Sequence, residues 1–326
     1  MKQTTIIAAL ALLAAGTASA QSSVTIYGRM NVSAEQQENI GANGKQKVLQ
    51  NSASRLGFKG TEDLGGGLKA SFILEHGLNA DTGTVSGSAF WGRQSEVNLS
   101  GGFGMLRLGN FTSEAYFATA DYISMHNHDT GTSEDKLYAY IGRNTNKIAY
   151  RTPEFVKGLT LEGAVSAGEG GGRERTYDFA ANYALGALQL GAGYEKNGNA
   201  KQYAARALFE AGALVFGAYV QRDENAYATG NRTTVRGSVA YNFGANELHF
   251  NYGQAGDYSK LSDSKAKQMT VGYNYNLSKR TKLYAFYSTV DNNKVNYFGF
   301  GAREGNNPLN DYKDTTAIAL GVRHNF

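Results

Sequence analysis

The sequence has 326 residues, with 32 lysines and arginines against 28 aspartates and glutamates, and a formal net charge of +4. It contains no cysteine, which excludes disulfides as a source of stability, and only two prolines, so almost every residue keeps the backbone donor that a β-sheet needs. Its mean hydropathy of −0.41 does not exclude a membrane protein, because a transmembrane strand needs an apolar residue only at every second position.

The first twenty residues have the pattern of a secretory signal peptide. Lys2 gives a basic start, residues 6–15 form an apolar core, and the small residues 18–20 (ASA) form a cleavage site. Cleavage after Ala20 would leave 21–326, which we expect to be a single domain. The apolar core is too short for a membrane helix, and no longer apolar run follows it.

After residue 21, apolar and polar residues alternate repeatedly. In QMTVGYNYNL at 268–277, every second residue is apolar or aromatic, and the residues between them are Gln, Thr, Gly and Asn. The last segment, TTAIALGVRHNF, alternates in the same way and ends on Phe326. A period of two predicts strands with two unlike faces. We expect sixteen, near 24–35, 51–60, 67–77, 91–100, 103–110, 145–152, 158–167, 177–186, 187–196, 201–211, 212–222, 232–243, 245–255, 266–276, 281–291 and 315–326.

The predicted connections alternate in length. Short ones are 101–102, 186–187, 244–246 and 278–280, and long ones are 36–50, 78–90, 111–144, 168–176, 223–231, 256–265 and 292–314. An even strand number with short turns at one end and long loops at the other is typical of an outer-membrane barrel. The apolar faces would contact lipid, the polar faces would line a water-filled lumen, and the last strand would pair with the first. The alternative is a soluble all-β protein with the apolar faces packed between sheets.

The alternation also predicts which charged residues face the lumen, and the predicted lumen wall is mildly basic. Arg93 is ambiguous, because counting back from Val97 and Leu99 places it on the lipid face unless it lies above the bilayer or a bulge shifts the register. The remaining lumen-facing candidates are the basic residues Arg29, Arg55, Lys59, Lys69, Arg107, Lys147, Arg151, Arg206, Arg236 and Arg323, and the acidic residues Glu75, Glu96, Glu162, Asp178, Glu195 and Glu247.

Five segments resemble the neisserial and Burkholderia-type general porins of Gram-negative outer membranes. They are SSVTIYGRM (22–30), SRLGFKGTEDLGGGLKASFILEHG (54–77), GRQSEVNLSGGFGMLRLGN (92–110), YNLSKRTKLYAFYSTV (275–290) and GVRHNF (321–326). The resemblance implies an all-β, transmembrane, antiparallel up-and-down β-barrel of sixteen strands. It also implies a homotrimer and a third surface loop folded into the pore, here 111–144.

The resemblance also implies the residues of a pore constriction. Arg55, Arg93 and Arg143 match the basic wall positions of these porins, and Lys59 follows Arg55 on the same face. The loop 111–144 would supply the opposing acids, for which we take Glu114 and Asp121. Opposed rows of charge across a narrow aqueous passage favour polar solutes, and the basic excess of the wall predicts a weak anion preference.

These patterns predict an outer-membrane channel for passive diffusion of small hydrophilic solutes and ions in a Gram-negative bacterium, surrounded by lipid and lipopolysaccharide. A barrel with an adhesive or substrate-specific binding role is the alternative. The five histidines form no nucleophile–base constellation, so we expect no enzyme, and we expect no cofactor, metal or nucleic-acid partner. HNHD at 126–129 could bind a metal, but a loop tip is the simpler interpretation.

Overall fold

The computed structural model describes residues 23–39, 44–121, 123, 131–169, 174–294 and 314–326. The predicted signal peptide at 1–20 and HNHD at 126–129 lie outside the described residues. The strands are β1 (Ser23–Glu38), β2 (Lys45–Asn51), β3 (Arg55–Gly65), β4 (Leu68–Asn79), β5 (Thr84–Val85), β6 (Gln94–Gly101), β7 (Gly104–Asn110), β8 (Lys147–Arg151), β9 (Leu159–Ser166), β10 (Thr176–Leu185), β11 (Leu188–Asn197), β12 (Ala200–Ala211), β13 (Leu214–Tyr227), β14 (Gly230–Phe243), β15 (Asn246–Ala255), β16 (Ala266–Asn276), β17 (Thr281–Asn292) and β18 (Thr315–Asn325).

These segments form a closed antiparallel barrel of sixteen strands, as predicted. β2 and β3 are two parts of one barrel strand, because both pair with β1. They are separated by a one-residue bulge, at which Ala53 adopts a φ of +56°. β5 pairs only with the end of β4, so it is not part of the barrel wall.

The two ends of the barrel differ in their connections. At one end, two-residue turns begin at Gly186, Gly212 and Gly244, which have φ values of +58°, +62° and +59°. Glycine adopts this backbone conformation without the steric cost that a Cβ adds, so it suits the tight turns. The long connections, including 111–146 and 256–265, lie at the other end, which is the extracellular end of an outer-membrane barrel.

Three expected boundaries were wrong. Most of the predicted loop 36–50 is strand, because β1 continues to Glu38 and β2 starts at Lys45. The predicted loop 223–231 is a two-residue turn between β13 and β14, and β6 starts at Gln94 rather than at 91. The first two ends extend past the apolar belt, where both faces carry polar residues and the alternation that marks a strand disappears.

The barrel closes at the chain termini. β18 pairs with β1 from Asn325 opposite Arg29 to Thr316 opposite Glu38. Gly28 and Phe326 exchange two backbone hydrogen bonds of 3.0 and 3.1 Å. A Cβ at position 28 would lie 2.5 Å from the Phe326 ring, so the missing side chain makes room for this ring.

The segment between β7 and β8 contains the described helical turns. Helix α1 (Glu114–Thr119) is capped by Ser113, whose side chain accepts a hydrogen bond from the Tyr116 amide. A single 3-10 turn follows at Gly131–Ser133. Within the described residues, no helix is long and apolar enough to cross a membrane.

Candidate functional site

The two faces of the barrel wall differ sharply in chemistry. On β14, Arg232, Thr234 and Arg236 are buried, whereas Val235 and Tyr241 on the opposite face are about half exposed. Polar side chains on the buried face can be satisfied by one another and by water, so this face lines the lumen. The apolar outer face is the one that suits contact with hydrocarbon.

Part of the inner wall is a chain of ion pairs across neighbouring strands. Arg107 on β7 lies between two carboxylates, 3.0 Å from Glu96 on β6 and 3.0 Å from Glu162 on β9. Arg151 on β8 binds the same Glu162 at 2.8 Å. Each cation is therefore neutralised within the wall, and this part of the lumen surface carries little net charge.

Arg55 and Arg93 come together on the same carboxylate. The Arg93 Nε lies 2.6 Å from Glu75 Oε1, and the Arg55 Nη1 lies 3.7 Å from the same atom. Because β6 starts only at Gln94, Arg93 is not bound by the strand alternation and its side chain turns toward the lumen-facing Glu75. The two guanidinium groups share one acid, so this part of the wall keeps a positive excess.

The other predicted basic residues lie below this cluster, toward the end with the short turns. Arg29 is the register partner of Arg55 and donates a hydrogen bond of 3.2 Å to Asn325. The Lys59 ammonium lies 5.2 Å from the centre of the Tyr27 ring. Lys69 is exposed next to the short turn of β3 and β4.

The segment 111–144 packs against the inner face of the wall. The buried side of helix α1, formed by Ala115 and Ala118, lies on β10, β11 and β12. A Cβ at Gly193 would lie 2.8 Å from the Ala115 carbonyl oxygen, and one at Gly191 would overlap the Ala118 carbonyl oxygen. The helix therefore rests directly on the backbone of β11, which only glycine allows.

The start of this segment is anchored by polar contacts. Glu114 contacts the Arg151 guanidinium and accepts a hydrogen bond of 3.0 Å from Asn182. Burial raises the pKa of Glu114, an effect that the neighbouring Arg151 opposes. Ser113, which caps the helix, donates to the buried Glu195 on β11.

The middle of the segment is held by β13, β14 and β16. Asp135 lies 2.7 Å from the Arg236 Nη2, and it also accepts a hydrogen bond from Tyr219. The Lys136 amide donates to Gln268 at 2.9 Å. Both members of the Asp135–Arg236 pair are almost fully buried, so each charge depends on the other.

The contacts continue around the wall to β1. Thr132 donates a hydrogen bond of 2.8 Å to Glu35, which also accepts from Ser33 at 2.7 Å. A Cβ at Gly131 would lie 2.6 Å from the hydroxyl of Ser52, in the bulge between β2 and β3. The segment therefore contacts the inner wall from β8 to β1, and leaves the side with Arg55 and Arg93 uncovered by these contacts.

The remaining predicted residues lie elsewhere. Asp121 is half-buried, and its carbonyl oxygen accepts a hydrogen bond of 3.3 Å from Arg206. Arg143 lies near the end of the segment, where its carbonyl oxygen accepts from Ser166 on β9 at 3.0 Å, so no printed contact joins it to Arg55 or Arg93. Sequence reasoning did not select Asp135, because its partner Arg236 is 101 residues away and no local pattern connects them.

Comparison with known proteins gives a consistent result. A family model described as Gram-negative porin matches residues 6–295. Outer membrane porin protein 32 of Delftia acidovorans is 31% identical over 98% of this chain and 98% of the relative. Major outer membrane protein P.IB of Neisseria meningitidis serogroup B is 30% identical over 96% of this chain and 97% of the relative.

Solved structures share the fold at lower identity. Salmonella typhi OmpF, in complex with daunomycin, has a TM-score of 0.72 at 16% identity and covers 93% of this chain and 97% of its own. The trimer form of OmpT from Vibrio cholerae has a TM-score of 0.69 at 13% identity and covers 94% of this chain and 99% of its own.

Proposed function

Because the chain belongs to the family of Gram-negative porins, we propose that it forms a general-diffusion channel with a weak anion preference. Its place is the outer membrane, and it is a porin channel by family and fold. Small hydrophilic solutes and ions cross through water, down their own gradients, with no coupled energy source. The segment 111–144 narrows the passage, and the solute passes between this segment and the wall that carries Arg55 and Arg93.

One observation carries the proposed selectivity: the carboxylates of the segment are paired, whereas two wall arginines share one carboxylate. Glu114 and Asp135 contact the wall cations Arg151 and Arg236, so their charges are largely neutralised. Arg55 and Arg93 share the single charge of Glu75. The local excess is positive and attracts anions, and ionic screening over about 8–10 Å confines its effect to the narrow part of the lumen.

We also propose a homotrimer, since the printed title of one OmpT structure describes a trimer form. Lipid and lipopolysaccharide of the outer membrane are the proposed surroundings of the apolar outer face. The half-exposed valines, leucines and tyrosines of that face support this proposal, because such a surface is costly in water.

Recording of the purified protein in a planar bilayer under a salt gradient tests the function. We expect three equal conductance steps per insertion event and a reversal potential of the sign that anion preference gives. A barrel that inserts but carries no current would instead be an adhesin or a binding protein. A chain that is soluble and compact without detergent would contradict the membrane barrel itself.

A further inference from the structure

Two lysines lie directly opposite each other on the outer face of the barrel. Lys196 on β11 and Lys201 on β12 are register partners, and both side chains point away from the lumen because Glu195 and Gln202, which precede and follow them, are buried on the inner face. Like charges opposite each other on one face of a sheet are destabilising. Among the described residues, no carboxylate forms a salt bridge with either ammonium group.

Further cations lie on the same outer face. Arg222 on β13 is the register partner of Tyr203, and its side chain is half exposed. The nearest acid is Glu224, whose carboxylate lies 3.5 Å from Arg222. With one acid against three cations, the surface formed by Lys196, Lys201, Arg222 and Glu224 has a net positive charge.

This surface lies at the height of lipid head groups. The residues next to the two lysines along their strands on the same face, Tyr194 and Tyr203, pair with ring centres 5.1 Å apart. Tyrosines at this position are typical of the aromatic girdle at a membrane–water interface. The lysines follow on the side of the long loops, so they are just outside the hydrocarbon.

The connections above this surface are unusually short. Only residues 198 and 199 join β11 to β12, and only residues 228 and 229 join β13 to β14. The two lysines therefore lie close to the membrane plane, and their own hairpin is too short to cover them. Other outward lysines near this end have acidic partners, as Lys45 does with Glu38 at 3.4 Å.

We propose that Lys196 and Lys201, with Arg222, bind the phosphate groups of a phosphorylated glycolipid in the outer leaflet. A phosphate between the two ammonium groups removes their mutual repulsion, and the acyl chains of the same lipid cover the apolar face below the tyrosines. The site deepens the lipid contact proposed above and rests on the outer-membrane position of the barrel, not on its selectivity.

The test is binding of bisphosphorylated lipid A to the purified, detergent-solubilised full-length protein, measured by native mass spectrometry. The double variant Lys196→Gln/Lys201→Gln should bind about thirtyfold more weakly, since each basic side chain near an anionic lipid surface contributes about a factor of five. The matched control is Lys45→Gln/Lys47→Gln, which removes two exposed outward lysines from β2 at the same end of the barrel.

The control should bind lipid A as the unchanged protein does, and dephosphorylated lipid A should bind all three proteins equally weakly. Equal loss of lipid A in both double variants would overturn the proposal, because it would reflect general charge only, and so would unchanged binding in Lys196→Gln/Lys201→Gln. Channel conductance measured on the same preparations separates the two hypotheses: an absent current contradicts the channel, whereas a normal current with unchanged lipid binding contradicts the lipid site alone.

Discussion

Gly191 lies directly beneath the carbonyl oxygen of Ala118, so that a Cβ at position 191 would overlap this oxygen. The contact joins the wall strand β11 to helix α1 and fixes how closely the helix approaches the wall. Every fraction of an ångström added there moves the helix toward the middle of the lumen.

We therefore predict that Gly191→Ala lowers the single-channel conductance and the size limit for neutral polyethylene glycols. Gly193→Ala should act in the same direction but more weakly, because its nearest atom, the Ala115 carbonyl oxygen, would lie 2.8 Å away. It also decides the question if the first variant does not reach the folded barrel. Gly163→Ala on β9, with no atom within 4 Å of the new methyl group, is the control and should leave conductance unchanged. Unchanged or larger conductance in both test variants would contradict this role.

Neutralising Arg55 or Arg93 should shift the reversal potential toward cations. Each change to glutamine removes one of the two cations that share Glu75, so the local excess of positive charge disappears. The measurement is the reversal potential in a tenfold salt gradient, with Arg222→Gln on the outer face as the control. No shift in either wall variant would show that selectivity arises elsewhere.

Asp135→Asn should loosen the segment 111–144 without opening the barrel. It leaves the Arg236 charge buried without its partner, a change that costs about 3–5 kcal/mol for a buried pair. We expect more frequent current fluctuations and faster hydrogen exchange at 131–141. Asp257→Asn, which breaks the exposed pair with Lys265, should change neither, since exposed pairs contribute about 0.2–1 kcal/mol.

Anion preference should increase as the pH falls, and Glu114 should contribute to this change. Burial raises the pKa of Glu114, so it takes up a proton at a higher pH than an exposed glutamate would. The proton removes a negative charge and leaves the Arg151 guanidinium less neutralised. Reversal potentials measured between pH 7 and pH 4 should therefore change less in Glu114→Gln than in the unchanged protein. Identical pH profiles would exclude Glu114 as a contributor.

The barrel was predictable because its physical cause is local. Hydrocarbon on one side and water on the other impose a period of two, so the sequence of β14 alone tells that Arg236 and Val235 face opposite ways. The information disappears where both sides are wet: at Glu38 and Lys45 nothing in the residue types marks a strand.

The position of the segment 111–144 was much less predictable. Its acids could be counted, but which of them meets which wall cation depends on the path of the chain through the lumen. Asp135 and Arg236 meet across 101 residues, and Arg93 turns toward Glu75 only because β6 starts one residue later. Family resemblance supplied the general position of the segment, and the structure supplied its individual contacts.

The pairing of β18 with β1 makes the last eleven strand residues a condition for closing the barrel. A nascent or truncated chain that lacks them has two open sheet edges, each with a row of unpaired amides and carbonyls. Such a chain is exposed to pairing with its own copies and to proteases. Biogenesis therefore cannot be completed from the N-terminus onward, and the whole polypeptide must be delivered before insertion can finish.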